Sequence, residues 1–323
     1  MVMKKIIMLL VAVFVSRIVY NFFYTTIPII GKFYYNLSNF SIGETLLYLF
    51  SLFGTVLSMI MFYKRILLLS TLLIPASIII LELRFPIMFY LSSILSGFSF
   101  GIIINYMLTL TSFYGRAYLY LYSFVLGIST IFQPILQTVL LFFHFTFNSL
   151  DILMLFIAIF LPISSLVIDF PNETKSFKVK FNKGSMLAMI VTTVYVLPYS
   201  IISTYLPVFM AEKGISLSYS YSIFIPFFIF MTLTRFILSY YRSLGERIDS
   251  LFSISVLLTI IGSLLEIHLT SLEVVYISLI LLSVPHGILY PLASVLVSKY
   301  SNEEERNQAM GLYLIYRELS SAI

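Results

Sequence analysis

Cysteine is absent from this sequence, histidine occurs 3 times in 323 residues, and only 10% of positions are charged. Without cysteine there is no disulfide, no thiolate nucleophile and no cysteine-ligated metal site. His144, His268 and His286 are too scattered to read as a metal motif. Acids are scarce where they would matter most. No Asp or Glu lies deep within the first ten long apolar runs, which leaves Glu318 and His286 as the groups that could carry a coupling proton inside a bilayer. Neither paired acids nor an intramembrane Ser/His set is found, so no catalytic residue, metal or cofactor is expected and the chain does not read as an enzyme.

What fills the chain is apolar side chain. It is 60% hydrophobic with a mean hydropathy of +1.03. A soluble domain of this length could not hide that much apolar surface. A spanning helix needs about 20 mostly apolar residues. Eleven such runs are predicted, at 6–30, 45–62, 66–81, 86–111, 117–143, 152–168, 185–210, 217–241, 251–265, 274–297 and 307–323. Helices are expected because lipid offers no partner to an unpaired backbone group. The roughly 10-residue alternation of a transmembrane barrel is missing. Lys4 and Lys5 before the first run mimic a signal peptide, but the run is too long, carries Arg17 in its middle and lacks a small-residue cleavage site, so it is expected to remain as the first span.

Basic residues fix an expected orientation. With the N-terminus in the cytoplasm, the inside loops hold Lys4, Lys5, Lys64, Arg65, Arg116, Lys175, Lys178, Lys180, Lys183, Arg242, Arg247, Lys299 and Arg306, and the outside loops hold Lys32, Arg84 and Lys213. A thirteen-to-three bias satisfies the positive-inside rule and predicts a multi-pass plasma-membrane protein. It also accounts for the pI of about 9.1 as topology signals beside anionic lipid, with no nucleic-acid partner.

The longest polar stretch, 169–184, is expected to be a linker between a six-helix half at 1–168 and a second half at 185–323. Its Phe177-Lys178-Val179-Lys180-Phe181 suits either the membrane face or a solvated connection. The halves echo each other. Pro28 and Pro207 end similar runs 179 residues apart, and Gly97 and Arg116 pair with Gly287 and Arg306, both 190 apart. Weak internal symmetry of this kind marks transporters built from repeats.

His286-Gly287-Ile288-Leu289-Tyr290-Pro291-Leu292-Ala293, followed by Glu303-Glu304-Glu305-Arg306 and Gly311, resembles the tenth helix and following loop of the major facilitator superfamily. Thr234-Arg235 with Arg242 and Gly245-Glu246-Arg247 resembles a degenerate form of its loop 8–9 signature. The resemblance implies an all-α fold of two six-helix halves and secondary transport by alternating access. The chain departs from the family at loop 2–3, reduced to Tyr63-Lys64-Arg65, and at Gln133-Pro134, where drug–proton antiporters carry Gly-Pro. The family usually has twelve spans and this sequence ends in the eleventh, so a truncated, transport-inactive remnant is the alternative expectation.

A charge in mid-membrane costs several kcal/mol and is a functional candidate by default. Arg17 lies eleven residues beyond Ile6, roughly 16 Å in at 1.5 Å per residue, about halfway through a ~30 Å core. Tyr20, Asn21 and Tyr24 share its face. Two roles are open for Arg17: contact with the anionic group of a small substrate, or glue between helices through carbonyls or Gln133. The resemblance implies that helices one, four, seven and ten line the cavity. The candidates there are Asn105, Tyr195, Tyr199, His286 and Tyr290, with Gln133 and Gln137 from the kinked fifth span. Gly97 and Gly101 read as close helix packing. Arg235 reads as a snorkelling residue or as a member of a structural salt bridge, and Arg317 is expected not to pair mainly with its neighbour Glu318 because their directions diverge by about 100°. The expected partners are a small-molecule substrate, an organic anion or drug-like metabolite, and the lipid bilayer. A coupling proton is left open, and the protein is expected to act as a monomer.

Overall fold

In the computed structural model, residues 2–143, 147–170, 181–216, 219, 222–241, 243–267 and 272–322 are described. Eleven helices run through them: α1 Val2–Ile29, α2 Ser41–Ile60, α3 Lys64–Leu81, α4 Pro86–Phe113, α5 Arg116–Phe142, α6 Phe147–Val167, α7 Lys183–Glu212, α8 Phe224–Tyr240, α9 Ile248–Ile267, α10 Leu272–Tyr300 and α11 Arg306–Ala322. Nine of them are long and apolar enough to cross a membrane, and α8 is a shorter apolar helix. No strand is found among the described residues. Most of the expected linker, residues 171–180, lies outside the described residues, as do His144 and His268.

Local chemistry sets the helix ends. Pro86 opens α4 at a position where its missing N–H costs nothing. Asn182 caps α7 by accepting from the Ser185 N–H at 2.8 Å. Gly115 turns the chain between α4 and α5 at φ +108°, a conformation that a side chain resists. Pro134 sits within α5, which continues through it as helix.

Helices in lipid associate through packing rather than the hydrophobic effect, and small residues let backbones approach. The α2–α4 seam works this way. A Cβ on Gly101 would lie 1.9 Å from the Ser51 carbonyl oxygen, one on Gly97 2.2 Å from that of Leu47, and one on Gly54 2.0 Å from that of Phe98. The glycines are thus packing residues, as their spacing predicts. Several serine hydroxyls inside the bundle are satisfied by carbonyls of their own helix, as Ser58 to Thr55 at 2.6 Å and Ser96 to Ser92 at 2.7 Å. α1 packs on α4, α5 and α6, and α10 packs on α7, α8 and α9. The two groups meet where α11 lies on α2 and α4, α8 on α5, and α7 on α1. Outward faces remain apolar: Ile254, Leu257, Ile260 and Leu264 of α9 are all exposed.

The start of α1 defines one face of the bundle. Lys5 bridges to Asp169 there. Phe170 packs on Phe62 and Tyr106, with centroids at 5.1 and 5.6 Å. At this face α11 is interlocked with α2 and α4. Asn307 accepts from Asn105 Nδ2 at 3.1 Å and from Thr109 Oγ1 at 3.2 Å, and donates to the Ser58 carbonyl at 3.0 Å. Asn105 also donates to Ser58 Oγ at 2.7 Å. Arg306 donates to the Ser112 carbonyl at 3.2 Å. Asn105, Thr109 and Ser58 have no exposed surface, and Asn307 is buried beside them.

Candidate functional site

A central cavity of about 40 Å³ lies midway along the helices. Arg17, Tyr20 and Tyr24 line it from α1, Tyr48 from α2, Tyr195 and Tyr199 from α7, His286 and Tyr290 from α10, and Arg317 from α11. Toward the face opposite the latch it adjoins a vestibule of about 180 Å³, bounded by Glu44 and Tyr48 of α2, Ser200 and Tyr205 of α7, and Ser320 and Ser321 of α11. Tyr48 and Ser321 belong to both walls. A separate cleft of about 400 Å³ lies near the latch face, with Arg116 and Tyr120 of α5 across from Lys299 of α10.

Seven of the eleven sequence candidates therefore surround one cavity: Arg17, Tyr20, Tyr24, Tyr195, Tyr199, His286 and Tyr290. Asn21 is buried and does not line it. Asn105 does not line it either; its amide is used in the latch. The side chains of Gln133 and Gln137 lie outside the described residues.

Aromatic rings form the walls. Tyr24 and Tyr199 face each other at 6.1 Å and 3° between planes, and Tyr199 stacks on Phe227 at 5.1 Å. His286 meets Tyr195 and Tyr199 edge-on, each at 4.8 Å. Tyr24 and Ser203 share a 2.6 Å hydrogen bond between α1 and α7. The guanidinium of Arg17 lies 4.6 Å over the Tyr20 ring, a cation–π contact. Its Nε is buried without a hydrogen-bond partner.

Three expectations are corrected here. Arg235 does not snorkel: it is 3% exposed. It donates to the Ser123 carbonyl at 3.3 Å, contacts His286 Nδ1 at 3.2 Å and lies 4.9 Å over the Tyr290 ring. Its position near the end of a short helix hid the depth that packing between α5 and α10 gives it. Arg317 does pair with Glu318, its Nε donating to Oε1 at 3.1 Å. The 100° divergence applies to Cβ directions; a four-bond arginine side chain folds back across it when a buried carboxylate offers the main compensation. Acids are also buried outside α11. Glu44 and Asp151 are 3% and 5% exposed. Both belong to the first turn or so of their helices, α2 and α6, one residue before the spans read from hydropathy.

The Arg235–His286 contact fixes a tautomer. Arginine only donates, so Nδ1 must accept and the neutral ring carries its proton on Nε2. Protonating Nδ1 would set an N–H against an N–H. Sequence reasoning missed Tyr48 and Arg317 as cavity residues. Arg317 carried a signal, a charge in an apolar run; Tyr48 carried none, being one tyrosine among 24.

Long helices in two groups around a midplane polar cavity, latched at one face and hollow toward the other, define a polytopic membrane transporter fold. The Major Facilitator Superfamily model matches residues 9–323, and the chain belongs to that family. Among solved structures, the human organic anion transporter MFSD10 (TETRAN) is similar at TM-score 0.75 and 12% identity, covering 99% of this chain and 91% of that one. The proton:xylose symporter XylE is similar at TM-score 0.73 and 11% identity, covering 98% and 87%. The E. coli fucose:proton symporter FucP follows at TM-score 0.68 and 11% identity, covering 98% and 88%. At such identities the likeness concerns the fold. No curated protein matches the chain in sequence.

Proposed function

We propose that this chain is a secondary transporter of a small organic anion, working by alternating access as a monomer in the plasma membrane. Its halves, 1–168 and 185–323, rock about the central cavity, joined by the linker 169–184, with the N-terminus in the cytoplasm. The observation that carries the reading is Arg17: a guanidinium on the cavity wall, in the middle of the fold, with an unpartnered Nε and no salt bridge among the described residues. A half-buried guanidinium of this kind is stabilised by an anion that enters and leaves. The family of the chain and the organic anion transporter among its structural neighbours agree with the reading. Glu318 is held by Arg317 and His286 by Arg235, so the reading needs no coupling proton, and facilitated movement or exchange suffices.

Uptake of a panel of labelled organic anions into liposomes, normalised to monodisperse protein, tests it. Arg17→Lys should reduce uptake because a point ammonium does not reproduce the planar fork, and Arg17→Gln should reduce it further. Near-normal uptake by the glutamine variant would end the claim. If Arg17 were structural glue, both variants would lose folded protein while transport per folded molecule stayed unchanged.

A further inference from the structure

The charges around the central cavity do not balance. Arg17, Arg235 and Arg317 all lie within electrostatic range of His286. Of these three guanidinium groups only Arg317 has a carboxylate in contact among the described residues, that of Glu318. Glu44 lies a helical turn beyond Tyr48, in the vestibule and outside the central lining. Arg17 and Arg235 are left with no acid among the described residues. Each has a buried Nε without a hydrogen-bond partner. Arg235 does not itself line the cavity. Its charge reaches the cavity through His286, whose Nδ1 accepts from Arg235 and whose remaining N–H is thereby on Nε2. The room is small: about 40 Å³ in the centre and 180 Å³ in the vestibule, below the few hundred Å³ usual for drug-sized ligands.

We propose that the site takes a compact dianion, one charge on the Arg17 guanidinium and the other on the His286 imidazole N–H backed by Arg235. The inference rests on the anion reading above and deepens it. Two guanidinium groups without an acid partner, Arg17 on the cavity wall and Arg235 behind His286, are neutralised by a single small ligand with two charges. A monoanion leaves one of them without an anionic partner. Arg235 is a positioning residue: it holds the imidazole in the donor tautomer and adds charge behind it. The shared chemistry is two negative charges within a few ångströms, whether on an oxyanion or on a dicarboxylate.

Equilibrium binding to the purified full chain in detergent, at matched ionic strength, separates the cases, with labelled sulfate, succinate and acetate as probes. At an effective dielectric near 20, a second charge about 8 Å from a guanidinium favours the dianion by on the order of tenfold or more. Sulfate or succinate should therefore bind at least about tenfold tighter than acetate, and whichever does so identifies the source of the two charges. Arg235→Gln should bring the ratio to within about twofold while acetate binding through Arg17 persists. Arg235→Lys, which keeps the charge, should restore most of the ratio and remains informative if the glutamine variant does not fold. Acetate binding as tightly as both dianions to the unmodified chain would overturn the inference and leave the anion reading standing. Failure of all three to bind would remove the anion reading itself.

Discussion

Asn307 is the residue through which α11 is fastened to α2 and α4, and replacing it with alanine tests whether that fastening sets the conformational balance. The variant removes three hydrogen bonds, from Asn105 and Thr109 and to the Ser58 carbonyl. Interhelical hydrogen bonds in membranes average about 0.6 kcal/mol and reach about 1.7. Three of them, one made by a buried carbonyl, sum to about 2 kcal/mol, or about 30-fold in an equilibrium constant at ~1.4 kcal/mol per decade. Asn105 keeps its 2.7 Å bond to Ser58 Oγ, so the variant should fold. Ser112, 1% exposed beside the latch, is a suitable reporter in this cysteine-free chain. The labelling rate of Ser112→Cys by a maleimide should rise about 10- to 30-fold when Asn307→Ala is added, because labelling follows the population of the open form. If opening at one face closes the other, Ser200→Cys in the vestibule should label more slowly in the same background. An Asn307→Ala protein that is folded and labels Ser112→Cys within twofold of the parent rate would refute the latch.

Gly101→Ala should destabilise the fold by about 1–3 kcal/mol, since the new Cβ would sit 1.9 Å from a carbonyl on α2 that has no side-chain freedom to retreat. A melting temperature in detergent unchanged within a degree would contradict that packing. The Asp169 carboxyl is held below the usual carboxylate range by its hydrogen bond and charge interaction with Lys5. A depressed native pKa contributes stability above the unfolded value of about 3.9 and loses it as pH falls through the native one. The melting-temperature gap between wild type and Asp169→Asn should therefore be small and positive at pH 7 and shrink as the pH falls below about 3.9; a gap that grows on acidification would count against the pair. Single cysteines at Lys213 and Lys299 should label from outside and from the cytoplasm respectively, and labelling of position 299 from outside intact cells would sink the proposed orientation.

Much of this architecture is written in the sequence because a bilayer imposes it. Length and apolarity give each helix, and α10, read as 274–297, runs Leu272–Tyr300. The glycines of α4 are legible because only a small residue allows two backbones to touch. Arg17 is legible for the opposite reason: a charge so far from water needs a purpose. Pairings between helices are not legible. Asn105 carries the same polar signal as Asn21 and Tyr20, and nothing local says that it meets Asn307, 202 positions away, rather than the cavity. Arg235 illustrates how hydropathy measures distance along a helix while burial depends on what packs beside it. Glu44 escaped because a boundary drawn one residue late places an acid in water.

Tyr24 precedes Pro28 by four residues, as Ser203 precedes Pro207, and these two residues hydrogen-bond to each other between α1 and α7. A chain assembled from two copies of one ancestral segment brings a position face to face with itself wherever the copies meet on their common axis. Two identical tyrosines at such a position must share one volume by stacking, and two serines leave much of it empty. An unequal pair, one large and one small, is the arrangement that fills the space once. Were the two halves such copies, geometry alone would favour divergence at self-facing positions, before any demand for a particular cargo acts on them.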